Sequence, residues 1–105
     1  MPIMEAIKVL ERYMESDGTD ELTESVIKKL IIRNLQKEEN DLTEVTEKLK
    51  HYEVKYNMSS SIFHESFHNG KSGDDEDFFV WDALLEMQDK IISRIKLLKG
   101  KDNSQ

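Results

Sequence analysis

From Thr19 to Asn69 the chain contains neither glycine nor proline, and most of that stretch carries one apolar stripe at helical spacing. Ile27, Ile31, Leu35, Leu42, Val45, Leu49, Tyr52 and Tyr56 fall on one side of a 3.6-residue wheel. The pattern predicts a single long helix from about Asp20 to Tyr56, on the order of 55 Å from end to end at ~1.5 Å per residue. Leu22, Val26 and Leu30 add a second stripe, confined to the first half. A helix with two apolar faces at one end needs two neighbours there. On the polar side, Glu24 with Lys28 and Glu44 with Lys48 stand at i,i+4 in the favourable order. Asn40-Asp41 with Glu44 has the makings of a capping device that would split the helix. The seam keeps its phase across this point, so a continuous or mildly kinked helix is expected.

The flanking segments are shorter. Ile3, Ile7, Leu10 and Met14 make one apolar stripe, and a first helix from about Pro2 to Glu15 is expected, stopped by Ser16-Asp17-Gly18. Thr19 suits the N-cap of the long helix. After Asn57, Ser59 or Ser60 caps a short helix that runs to about Asn69, with Met58 and Phe63 placed as a hydrophobic staple if Ser59 is the cap. Gly70 stops it in the usual C′ position. Asp74 or Asp75 then caps the last helix, where Glu76 and Asp77 oppose the positive end of the helix dipole. Trp81, Leu84, Gln88, Ile91, Ile95 and Leu98 alternate spacings of three and four, a heptad seam. Gly100 ends it, and the remaining KDNSQ, 101–105, reads as a solvated, disordered tail.

These lengths predict an all-α fold: an antiparallel helical hairpin or small bundle, one domain over 1–100, with one long central helix and a short connector. The last helix would lie along the second half of the long one and the first helix along its first half. Both would meet near Leu22 to Ile32. Any seam left uncovered becomes a dimer or partner surface.

Charge narrows the function classes. With 22 acidic against 15 basic side chains the net charge is −7, which opposes a direct nucleic-acid surface because phosphate binding needs a concentrated positive field. The one basic cluster, Arg94, Lys96, Lys99 and Lys101, sits at a helix C-terminus, where cations are favoured anyway. There is no cysteine, which excludes disulfides, thiolate-bound zinc and thiol nucleophiles. The N-terminal MPIMEAIKVLERY has no signal-peptide pattern, and no run reaches membrane-spanning length, so a cytoplasmic protein is expected.

His64-Glu65-Ser66-Phe67-His68 matches the zinc-protease pattern HExxH, in which two histidines at i,i+4 converge on one metal and the glutamate acts as general base. A catalytic zinc needs a third protein ligand. Glu86 and Asp89 lie at plausible distances in sequence, but so would some carboxylate in any chain this acidic. No third histidine follows at the extended metzincin spacing, and His51 is on the long helix. The pattern is therefore read as an accident on a connector helix. No metal, cofactor or catalytic residue is assigned, and a zinc-dependent hydrolase using His64 and His68 stays a remote alternative. Asp74-Asp75-Glu76-Asp77 lacks the alternating spacing and central glycine of a calcium loop and is read as capping plus solvation. Phe78 and Phe79 are adjacent and point about 100° apart on a helix, so one of them is expected to leave the seam for the short helix or for a partner.

Tyr56-Asn57-Met58-Ser59-Ser60, then Phe63, Phe67 and Gly70, then Gly73-Asp74-Asp75 and Asp77-Phe78-Phe79 with Trp81, resemble a C-terminal segment of small helical proteins of bacteria and archaea. Many of those are encoded beside small toxin-like genes, and they resemble antitoxins of toxin–antitoxin pairs. Here Asn57 stands where the pattern has Gly, and Lys71-Ser72 where it has Glu-Leu. The resemblance implies a non-enzymatic, acidic interaction protein whose partner is a cognate protein toxin. The expected contact region is Asp74, Asp75, Asp77, Phe78, Phe79 and Trp81, although caps and core are the plainer reading of the same residues. A self-associating coiled-coil adaptor is the alternative. No helix-turn-helix with a basic recognition helix is visible, so direct DNA binding is not expected.

Overall fold

The computed structural model describes residues 1–100; the tail expected at 101–105 lies outside the described residues. The fold is all-α. Four helices follow one another, α1 (Ile3–Glu15), α2 (Glu21–Tyr56), α3 (Ser60–His68) and α4 (Glu76–Leu98), with no strand among the described residues. α2 is helical through Asn40-Asp41, as the unbroken phase of its seam predicts. No helix of the described residues is long and apolar enough to cross a membrane.

The helix ends follow local chemistry closely. α1 closes with Asp17 in the left-handed region at φ 64°, while the Gly18 amide donates to the Tyr13 carbonyl and the Asp17 amide to that of Met14. Gly18 has a different duty: a Cβ there would come within 2.5 Å of the Tyr13 ring. α2 ends the same way at Asn57, φ 49°. α3 ends with the Lys71 amide on the Ser66 carbonyl and the Gly70 amide on that of Phe67. One expectation is corrected. The N-cap of α2 is Asp20, whose Oδ1 accepts the Thr23 amide at 2.7 Å, and not Thr19, whose hydroxyl turns to the Asp20 carbonyl. The Thr23 amide holds the Asp20 carboxyl below its ordinary pKa.

The chain divides into two compact units, Met1–Arg33 and Asn34 onward. The second contains the whole buried core: Val45 and Leu49 of α2, Phe63 of α3, and Trp81, Leu84, Ile91 and Ile95 of α4. Leu35, Leu42, Tyr52, Tyr56, Phe67, Phe78 and Leu85 pack around it. These are the α4 seam and the α2 seam from Leu35 onward closing on each other; Ile27 and Ile31, expected in the same seam, are outside the core, and Ile31 is exposed. Their polar flanks fix an antiparallel register. Lys55 Nζ meets Asp77 Oδ2 at 2.6 Å near one end, and Arg94 Nε meets Glu38 Oε1 at 3.0 Å toward the other. The last turn of α4 lies beside Asn34 and Glu38.

The first unit, α1 with the start of α2, buries no residue. Ile7, Leu10 and Met14 of α1 face Ile27 and Leu30 of α2 across an open groove of about 620 Å³. Leu22, Val26, Leu30, Ile31 and Ile32, for which a double cover is expected, are all exposed, Leu22 at 74%.

Candidate functional site

The junction of α2, α3 and α4 gathers the aromatic and acidic residues singled out in the sequence. Trp81 is 0% exposed and lies face to face with Phe63, their ring centroids 3.9 Å apart and their planes 2° from parallel. Tyr52 and Tyr56 stack against the same indole at 5.8 Å. Its Nε1 donates to Ser60 Oγ at 2.9 Å, so the one polar atom of the buried ring is satisfied. That bond is available because Ser59, not Ser60, is the cap of α3: Ser59 Oγ accepts the Ile62 amide and leaves the Ser60 hydroxyl free to face α4. The Glu53 carboxylate accepts the Ser60 amide at 3.0 Å and ties the start of α3 to α2.

The six residues expected to meet a partner divide in this setting. Trp81 is core. Phe78 is half-buried between Tyr56 and Phe63, with centroids at 5.1 and 5.6 Å. Phe79 is 56% exposed and makes a T-shaped contact with the Phe67 ring at 5.3 Å. The neighbouring phenylalanines thus separate as their 100° offset requires, one inward and one outward. Asp75 caps α4 by accepting the Asp77 amide at 2.9 Å. Asp77 accepts from Lys55 Nζ and from the Tyr56 hydroxyl on a single oxygen. The Lys55 hydrogen bond, followed by that of Tyr56, holds the Asp77 carboxyl below its ordinary pKa. Asp77 in turn raises both Lys55 and Tyr56, chiefly by accepting their hydrogen bonds. Asp74 is exposed.

A second constellation lies on the other flank of α3. His64 and His68 stand one turn apart, their rings tilted 45° to each other with centroids 4.2 Å apart. Both face Asp82 of α4. His68 Nε2 lies 2.8 Å from Asp82 Oδ1 and His64 Nδ1 lies 3.5 Å from the same oxygen. The three donor atoms lie within 4.8 Å of one another. Asp82 is the residue that sequence reasoning missed. The carboxylates considered there, Glu86 and Asp89, stand one and two turns further along α4. With Ser60, Ser61 and Leu85 they line an open concavity of about 330 Å³ beside His64. Glu65, the would-be general base of HExxH, lines a different concavity with Ile62, Ser66, Asn69 and Lys71. The two histidines and Asp82 bring three possible ligand atoms together.

A comparison of the chain with family models, curated proteins and solved structures finds no match in any of the three.

Proposed function

We propose that this chain is a non-catalytic interaction module, acting in the cytoplasm as an antitoxin that neutralises a cognate protein toxin by direct binding. The observation that carries the reading is the first unit. It presents Ile7, Leu10, Val26, Leu30 and Ile31 to solvent and buries nothing of its own. Contiguous apolar surface of this kind marks a contact for another protein, since burying it is the main favourable term available to so small a helical pair. In the second unit, Phe79 offers an aromatic anchor next to exposed Asp74 and Asp75. The net charge of −7 favours a basic partner and speeds encounter with it. The class of partner rests on the resemblance of the Tyr56 to Trp81 segment to antitoxins.

The same apolar groove also fits a second copy of the chain, which supports the adaptor alternative. Light scattering on size-fractionated protein, alone and co-expressed with the product of the neighbouring gene, separates the two. A stoichiometric heteromeric complex supports the antitoxin reading. A stable homo-oligomer that takes up none of that product overturns it.

A further inference from the structure

We propose that His64, His68 and Asp82 form a binding site for a divalent transition-metal ion, best suited to Zn²⁺, which clamps α3 onto α4. The donor set is two imidazoles and one carboxylate, the borderline nitrogen–oxygen ligation that zinc accepts in three-ligand sites with a solvent molecule in fourth place. A tetrahedral ion with bonds of about 2.0–2.2 Å places its ligand atoms roughly 3.3 Å apart. The separations present bracket that value, with 2.8 and 3.5 Å from the histidine nitrogens to Asp82 Oδ1. All three donors lie within 4.8 Å of one another. Small rotations of the imidazoles would bring them to coordination distance, and both side chains are about half exposed.

Asp82 supplies the rigid half of the site. Its side chain is only 15% exposed, and it is one position beyond Trp81, whose indole is locked in the core. His64 similarly follows Phe63, which is stacked on that indole. The core therefore fixes the backbone on both sides of the proposed ion. With neutral imidazoles and an ionised carboxylate, the bound ion keeps a net charge of +1, and the hydrogen bond between His68 and Asp82 is replaced by two metal bonds. A clamp has a purpose here because α3 is only nine residues long, too short to hold its helical form without tertiary contacts. This inference stands independently of the antitoxin reading.

The test uses the full chain without a histidine tag, titrated calorimetrically with ZnCl₂, and with CoCl₂ for its ligand-field spectrum. The expected result is one ion per chain, a tetrahedral cobalt spectrum, and a melting temperature that rises with zinc. His64→Ala and His68→Ala should each weaken zinc binding by more than the roughly 10–100-fold typical of losing an outer-shell partner, and Asp82→Asn by at least that much. Glu65→Gln and His51→Ala should bind as the parent does. The histidine variants alter exposed side chains and retain the fold, which circular dichroism checks, so they decide the matter even if Asp82→Asn is destabilised. No stoichiometric uptake overturns the proposal. So does uptake that survives loss of either histidine, or that falls equally with Glu65→Gln.

Discussion

Trp81 and Phe63 lie in near-parallel contact, 3.9 Å between ring centroids, and neither side chain is more than 1% exposed. The pair joins α3 to α4 and receives Tyr52 and Tyr56 from α2, so three helices depend on it. Removing either ring leaves a cavity that the surrounding helices can only partly close. Trp81→Ala is expected to cost about 3–5 kcal/mol, comparable to the whole stability of a domain this small. Trp81→Phe keeps the stack but loses the hydrogen bond to Ser60, worth about 0.5–1.5 kcal/mol, plus some buried area. Urea unfolding followed by circular dichroism checks the order of the two variants.

Phe79 provides the counterpart. It is more than half exposed and meets the Phe67 ring in a T-shaped contact. Phe79→Ala should therefore cost about 1 kcal/mol or less. If Phe79 anchors a partner, the same variant weakens complex formation well beyond its effect on folding. Equal small losses in both measurements would make it an ordinary surface aromatic.

The Asp77 network predicts how stability changes with pH. A carboxyl with a lowered folded pKa contributes stability above its ordinary value and loses it as the pH falls through the folded value. Lys55 and Tyr56 are shifted upward, so their contribution is complete below their ordinary values and disappears as the pH rises through the folded ones. Asp77→Asn should accordingly lower the urea midpoint most at neutral pH. The gap to the parent should narrow in acid and again in strong alkali. A gap independent of pH would show that the network contributes nothing through its charges.

Arg94 and Glu38 form an asymmetric pair. The Glu38 side chain is 12% exposed and its Oε2 is buried without a hydrogen-bond partner, whereas Arg94 is about half exposed. Arg94→Leu removes the counter-charge and leaves a shielded carboxylate, which is costlier than removing both charges. The double variant Glu38→Gln with Arg94→Leu is expected to be more stable than Arg94→Leu alone. A double-mutant cycle measures the difference.

Much of this fold was legible because it is encoded locally. The helices end within a residue or two of where the glycines, serines and acidic caps put them, and the α4 seam with the α2 seam from Leu35 onward forms the core. Asp20 and Thr19 were harder to separate. Both are good caps, and their adjacency leaves the choice to backbone geometry. Asp82 was invisible for a different reason. It meets His64 and His68 only through the way α3 and α4 pack, and no spacing within either helix reports that. The stripes at Leu22, Val26 and Leu30 located an apolar face correctly, but periodicity cannot say whether another helix covers it.

The cap assignment is itself testable. Asp20→Ala should lower helicity and stability, and Thr19→Ala should change stability by no more than about 0.5 kcal/mol. The reverse order would restore Thr19 as the cap.

The central claim is that the exposed apolar face of the first unit binds a protein partner. Its most direct measurement is growth rescue from the neighbouring gene product, comparing the parent with a Val26→Asp, Ile31→Asp double variant. Both positions are exposed, so the helical content and the second unit's core should be preserved. The account predicts that the parent restores growth and co-purifies with the product, and that the equally folded variant does neither. No rescue and no complex with the parent, or full rescue by the variant, would contradict it.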